Sequence, residues 1–146
     1  MAGPRSVRFD PATESRLESF VSRRPGLTRS SAAALLVEEG LRMDAHPGVL
    51  FRDGPAGRRA VLAGGPDVWE VVQAIRSARQ AEPGLTSQEL LALVTETAAV
   101  PLRLVQVAVS YYADYPDEID DLVDGADRAE ADAARAVQRR RDLLGA

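Results

Sequence analysis

The sequence predicts a mainly α-helical protein with a short N-terminal β-strand. Residues 6–9 alternate polar and apolar side chains, as expected of a strand with one buried face. Apolar residues then recur at helical spacing along most of the chain, interrupted at short intervals by proline, glycine and capping residues. We expect three parts: a strand with two helices at 1–44, a β-hairpin with a group of short helices at 45–115, and an acidic C-terminal helix at 116–146.

The composition limits the function classes that the chain can serve. Its 146 residues make one ordinary domain or two very small ones. The absence of cysteine excludes disulfides, thiolate metal sites and cysteine nucleophiles. All 18 basic residues are arginine, which excludes the lysine of a phosphate-binding loop and Schiff-base chemistry. Because the chain has no long apolar run and no signal-peptide pattern at its start, we expect a cytoplasmic protein without a membrane segment.

The net charge of −4 is unevenly distributed. Residues 1–113 contain 13 arginines and 12 acidic residues, whereas residues 114–146 contain 5 arginines and 10 acidic residues. The acidity of the whole chain therefore does not argue against a nucleic-acid partner for its front part.

The first part of the chain is too short to fold alone. Asp10 is a good N-cap for a first helix, "RPG" interrupts that helix, and Thr28 caps a second one. A unit of about 40 residues without disulfides or metal usually needs oligomerisation. We therefore expect a two-fold dimer in which the strand pairs antiparallel with its own copy, so that Val7 and Phe9 face the helices while Ser6 and Arg8 face outward.

Residues 5–43 also resemble a known family. The stretch "VRF" followed by "DP", and "GLTRSS" leading into "AALLVEEGL", are similar to the ribbon-helix-helix DNA-binding proteins of MetJ/Arc type. The resemblance implies a homodimer that inserts an antiparallel β-ribbon into the major groove of DNA.

Candidate DNA contacts follow from this arrangement. Ser6 and Arg8 are the candidates for contacts to bases, because an outward-facing arginine can bond guanine in bidentate fashion. Arg5 and the start of the second helix are the candidates for phosphate contacts, since a helix N-terminus attracts anions; the residues there are Thr28, Arg29 and Ser30. The alternatives are a solvated strand edge and a simple helix cap.

A second region follows the linker at 44–48. "RDGPAG" has the composition of a hairpin turn, Thr86 and Glu89 have capping-box spacing, and Pro101 stands where a further helix begins. Helix, brief turn and helix is the spacing of a helix-turn-helix. "GRRAVLAGGPDVWEVV", "LTSQELLALV" and "VSYYADYPDEID" within residues 47–124 resemble a small helix-turn-helix family of uncharacterised function, often found among bacterial antitoxins. The resemblance implies a compact helical domain that binds DNA, a partner or its own copy.

This region holds a possible second DNA or partner surface. Polar residues at helical spacing follow Pro101. The buried face that we expect for this helix consists of Val105, Ala108, Val109 and Tyr112. Two adjacent arginines flank the hairpin turn. The candidate residues are Arg58, Arg59, Arg103, Gln106 and Ser110. The alternatives are a solvated hairpin and the one solvated face of a core helix.

The tail from Pro116 has a helical pattern with two possible roles. Apolar residues recur every seven positions, among them Ile119, Ala126 and Ala133. Such a repeat is typical of a heptad seam built largely of alanine. A helix that folds back onto its own domain explains the pattern equally well.

No pattern in the sequence indicates an enzyme, a cofactor or a metal. The lone His46 lies in a linker without a nucleophile pattern, so we expect a surface histidine and no catalytic residue. The acidic cluster at 117–124 lacks the ligand spacing of an EF-hand, and acidic residues are favourable at a helix start. We expect a charged solvent face or a patch for a basic partner.

These features together predict a homodimeric, sequence-specific transcriptional regulator whose partner is double-stranded DNA. One alternative is an antitoxin that masks a toxin protein through its C-terminal region and regulates its own operon. A second alternative is a plasmid partition or copy-control protein. The antitoxin alternative also includes DNA binding, as autoregulation.

Overall fold

A computed structural model describes residue 3, residues 5–55 and residues 57–145 of the chain. The described residues form six helices and one two-stranded antiparallel sheet, which confirms the mainly helical prediction. The elements in chain order are α1 (Pro11–Ser22), α2 (Arg29–Ala45), β1 (Val49–Gly54), β2 (Gly57–Leu62), α3 (Val68–Ala81), α4 (Ser87–Thr97), α5 (Leu102–Asp114) and α6 (Pro116–Leu144). The chain divides into an N-terminal unit, Met1–Asp44, and a C-terminal unit, Ala45–Ala146.

The N-terminal unit consists of α1 and α2 preceded by an irregular segment at 5–10. Asp10 caps α1 by accepting a hydrogen bond of 2.9 Å from the Thr13 backbone N–H. Thr28 plays the same part for α2, since its Oγ1 accepts from the N–H of Ser31 at 3.1 Å. Both caps are as the sequence predicts. Leu17 and Ala32 are the only apolar side chains buried among the described residues of this unit.

The predicted N-terminal strand is wrong for the single chain. Residues 5–10 have no regular secondary structure, and both strands of the described chain lie further on, in the hairpin. A strand requires a neighbour whose N–H and C=O groups complete its ladder. In the hairpin, β2 is this neighbour for β1 across a short turn, with a register that runs from Val49↔Leu62 to Gly54↔Gly57. Residues 5–10 have no second strand beside them within the described part of the chain. Ala56, in the predicted hairpin turn, lies outside the described residues.

The C-terminal unit has one hydrophobic core to which the hairpin and all four of its helices contribute. Val49 and Leu62 enter it from the hairpin, and Tyr111 of α5 is its largest fully buried side chain. The other buried apolar residues of this core are Ala60, Val68, Val71, Val72, Val94, Val100, Leu104, Val105, Ala108, Ile119 and Val123. The core therefore fixes the orientation of α4 and α5.

The buried face of α5 differs slightly from the prediction. Val105 and Ala108 are buried as expected, but Leu104 and Tyr111 complete the face, and Val109 is 40% exposed. The buried face is thus turned toward Leu104 and Tyr111 by roughly 60° from the predicted phase, which is less than the step of one residue. Val109 consequently joins the outer surface.

Only the first turns of α6 pack against the other elements of the C-terminal unit. Ile119 and Val123 are buried in the core, the Arg76 guanidinium of α3 donates to the Asp120 carboxylate, and Gln73 Nε2 donates to Asp127 Oδ1 at 2.6 Å. Every residue from 127 to 145 is exposed. The second half of α6 therefore does not take part in the core.

Within the described residues, no single helix is long and apolar enough to cross a membrane. The pair α4 and α5 reaches that length and composition only when joined, and the two helices are bent by 116° at the break between them. Both helices contribute buried residues to the core.

Candidate nucleic-acid interface

The N-terminal unit exposes apolar side chains that a complete core would bury. Val7 is 70% exposed and Leu41 is 62% exposed, and Val37 is also exposed. Phe9 and Val37, together with Leu17 and Ala33, line two adjoining surface cavities. We call Val7, Phe9, Ala33, Val37 and Leu41 the open face of this unit.

The candidate base-contacting residues lie in the irregular segment before α1. Arg5, Ser6 and Arg8 are all exposed, whereas Phe9 is half-buried in the open face. Val7 was predicted to face the helices with Phe9, but within the described part of the chain its side chain is 70% exposed. The single chain therefore brings Phe9 alone against the helices.

The start of α2 brings the candidate phosphate-binding residues together. Thr28, Arg29 and Ser30 are exposed within one helical turn. The Arg29 guanidinium lies 2.5 Å from the Glu14 carboxylate and 3.9 Å from that of Glu18, both on α1. Such exposed ion pairs are weak, so a phosphate has only a modest competitor for this arginine.

Helices α4 and α5 are joined by a short connection and cross at a steep angle. Their 116° bend and the short connection at 98–101 fall within the range of a helix-turn-helix motif. Ala99 adopts a left-handed conformation with φ 52°, which reverses the chain, and Val100 is buried beneath the turn. Pro101 is the N-cap of α5, so the helix begins one residue later than the sequence predicts.

The start of α4 is fixed by the predicted capping box. The Thr86 N–H donates to Glu89 Oε2 at 2.8 Å, and the Glu89 N–H donates to Thr86 Oγ1 at 3.3 Å. The backbone hydrogen bond from Thr86 lowers the pKa of Glu89, because it stabilises the ionised carboxylate. The capping box therefore stabilises the N-terminus of α4.

The outer face of α5 carries the predicted polar stripe. Arg103, Gln106 and Ser110 are all exposed, and Leu102 and Val109 lie on the same side of the helix. In a helix-turn-helix, residues near the start of the second helix contact base edges. Arg103 and Gln106 occupy that part of α5.

The hairpin arginines have structural partners. The Arg59 guanidinium donates to the Asp67 carboxylate and, at 2.8 Å, to the Asp53 carbonyl oxygen. Trp69 Nε1 also donates to Asp67 Oδ2, at 3.1 Å, and Arg58 lies 3.5 Å from the Asp53 carboxylate. Arg59 therefore ties the hairpin to the start of α3, a role that the sequence did not indicate.

His46 is buried, so its prediction as a surface residue is wrong. The ring is 6% exposed, packs edge-on against Tyr111 and Tyr115, and places Nε2 2.9 Å from Asp114 Oδ2. Its Nδ1 lies 3.5 Å from Ser110 Oγ. The spacing of Tyr111, Asp114 and Tyr115 places their side chains on the same side of the chain. In the sequence, this spacing was the available sign that they surround a buried polar residue such as His46.

Two of the acidic residues at the start of α6, Glu118 and Asp120, have partners within the fold. Asp120 accepts from Arg76, and Glu118 Oε1 accepts from the Tyr111 hydroxyl at 2.9 Å. No group of histidine, aspartate and glutamate side chains in the described ranges is arranged to hold a metal ion. The cluster thus attaches α6 to α3 and α5.

No protein-family model, curated protein or solved structure matched the chain in comparisons. The two family resemblances therefore remain predictions from the sequence motifs.

Proposed function

We propose that the protein is a sequence-specific DNA-binding transcriptional regulator that acts as a homodimer. The observation that carries this proposal is the open face of the N-terminal unit. A unit of this size with two buried apolar side chains requires a partner to complete its core. In a ribbon-helix-helix dimer, the open faces of two copies cover each other.

The gain from covering the open face is large for so small a unit. Full burial of an aliphatic side chain stabilises by about 1.5–3 kcal/mol, and each copy contributes Val7, Val37 and Leu41. Residues 5–10 would pair antiparallel with the same residues of the second copy, which supplies the missing hydrogen-bond partners. The two requirements of the segment, a neighbouring strand and a cover for Val7, are met by one partner.

The resulting ribbon presents Ser6 and Arg8 to the major groove. Arg8 would contact a guanine edge, and Arg5, Thr28, Arg29 and Ser30 would contact flanking phosphates. Arg29 would exchange its weak contact with Glu14 for a phosphate. Two copies related by a two-fold axis would recognise a site of matching symmetry.

The helix-turn-helix of the C-terminal unit provides a second DNA surface in this proposal. Its bend, its short turn and the exposed Arg103 and Gln106 support that role. Arg59 is left to its structural contacts and is not part of this surface.

Binding-site selection with the purified full-length chain tests the proposal. Random duplexes are enriched at a fixed salt concentration, because phosphate contacts make affinity depend steeply on salt. The expected result is an enriched sequence with two-fold symmetry. A pool that remains random after several rounds would contradict sequence-specific binding.

A further inference from the structure

The second half of α6 is a helix that needs a partner. Residues 127–144 are all exposed and form a rod of about 27 Å at 1.5 Å per residue. Most helices in proteins are stabilised by packing of an apolar face, which this rod lacks in the single chain. Its apolar residues nevertheless include Val137, Leu143 and Leu144, and Leu143 is 84% exposed.

The two ends of this rod differ in the size of their side chains. Near its base lies an open groove of about 760 Å³. The hairpin, including Arg58 and Arg59, and the start of α3 with Trp69 form one side of its lining, and α6 contributes Asp121 and the small or apolar residues Leu122, Gly125, Ala126 and Ala129. At its tip stand Leu143 and Leu144. A second α6 running in the opposite direction would place its bulky tip at this groove.

The two ends also differ in charge. Residues 125–132 contain three acidic residues and one arginine, whereas residues 133–144 contain four arginines and one acidic residue. Two such helices side by side attract each other when antiparallel and repel each other when parallel. Charge therefore selects the same orientation as side-chain size.

We propose that α6 is an interface between two copies of this chain, in which residues 125–144 of both helices pack antiparallel. A two-fold axis between Ala134 and Arg135 places Leu143 opposite Ala126 of the second copy. The same register places Arg139 beside the partner's Asp132, an opposite-charge pair in the flanking position of a coiled coil. This contact is separate from the ribbon of the proposed function, and neither requires the other.

Disulfide cross-linking gives a direct test, because the chain has no cysteine of its own. Full-length Ala126→Cys and Leu143→Cys variants are mixed and oxidised gently, and covalent dimers are resolved on a non-reducing gel. The expected main product is the mixed dimer that joins position 126 of one chain to position 143 of the other. Ala131→Cys, on the opposite face of α6, is the matched control and should lose the cross-link to Leu143→Cys.

Each other outcome of this experiment would overturn the proposal. Dimers of Leu143→Cys with itself in excess of the mixed dimer would mean parallel helices. A yield no greater than that of the Ala131→Cys control would mean that α6 does not bind its own copy, as when a different protein covers it. Circular dichroism of each variant shows whether the helices are retained.

The same mixture prepared in a Val37→Asp background separates this contact from the ribbon dimer. The mixed dimer should persist there, because α6 lies outside the open face of the N-terminal unit. Its loss in that background would contradict an independent α6 interface, whatever the variant does to DNA binding.

Discussion

The Arg29 guanidinium at the start of α2 lies 2.5 Å from the Glu14 carboxylate of α1. This pair joins the two helices of the N-terminal unit on the surface assigned to phosphate. Both side chains are about half exposed, so solvent weakens the pair. In the proposed complex with DNA, Glu14 would therefore oppose binding in two ways, by engaging Arg29 and by repelling phosphate.

A Glu14→Gln variant should bind DNA more tightly than the wild type, and by the same factor on every sequence. The substitution removes a negative charge near the phosphates and leaves the base-contacting residues unchanged. Fluorescence anisotropy with the selected site and with random duplexes, at several salt concentrations, measures the effect. Glu82→Gln removes an exposed negative charge at the end of α3, outside both proposed DNA surfaces, and serves as the control. A gain confined to the selected site would contradict a phosphate role for Arg29.

An Arg8→Ala variant should lose sequence preference. A bidentate arginine–guanine contact contributes about 1–3 kcal/mol of discrimination, so affinity for the selected site should fall roughly 5- to 150-fold. Affinity for random DNA should fall much less. Arg52→Ala removes an exposed arginine from β1 and is the matched control. An equal loss on both kinds of DNA would remove Arg8 from base recognition.

A Val37→Asp variant should prevent dimerisation through the open face. A buried, unpaired carboxylate is strongly unfavourable, and the apolar contact is lost with it. Because α6 offers a second contact, the variant is prepared in a chain that already carries Leu143→Glu and Leu144→Glu. Sedimentation should show a dimer before Val37→Asp is added and a monomer afterwards. Leu50→Asp, at an exposed apolar position of β1, is the control and should leave the dimer intact. A dimer that survives Val37→Asp would contradict the ribbon-helix-helix arrangement.

The caps of α1 and α4 should make the fold sensitive to acid. Backbone hydrogen bonds lower the pKa of Asp10 and of Glu89 from their ordinary values of 3.8 and 4.5. A lowered pKa contributes stability that is complete above the ordinary value and is lost as the pH falls through the folded one. The contribution of these two caps to the melting temperature should therefore be independent of pH above about 5.5 and should decrease below about 4.5.

A Glu89→Gln variant isolates one of these caps. Its melting temperature should lie below that of the wild type at neutral pH, and the difference should shrink as the pH falls below 4.5. A difference that stays constant down to about pH 3, well below the ordinary value of 4.5, would contradict a charged cap.

Local signals in the sequence predicted the helices and their starts. Asp10, Thr28 and Thr86 act on N–H groups three residues away, so the pattern and the contact coincide in the sequence. The phase of α5 was less certain, because an apolar stripe that includes both Leu104 and Val109 does not fix rotation to within one residue. Periodicity therefore predicts that a segment is helical more accurately than it predicts which face of the helix is buried.

Contacts between distant residues were not predictable in this way. His46 is buried by residues more than sixty positions later, and Arg59 is held by Asp67 at the start of another element. The N-terminal strand was predicted from alternation alone. A strand also requires a neighbour, and none of the residues that the structure describes supplies one to residues 5–10. Sequence patterns thus describe what a segment can form, and its surroundings decide whether it does.

Amide hydrogen exchange at residues 6–9 of the full-length protein tests the central claim most directly. If two copies pair through this segment, every second amide in it exchanges slowly at high protein concentration and faster on dilution, because only the partner strand supplies the acceptors for these N–H groups. The Val37→Asp variant should exchange fast at every concentration. Fast exchange of these amides in the concentrated wild type would contradict the ribbon, and with it the proposed mode of DNA recognition.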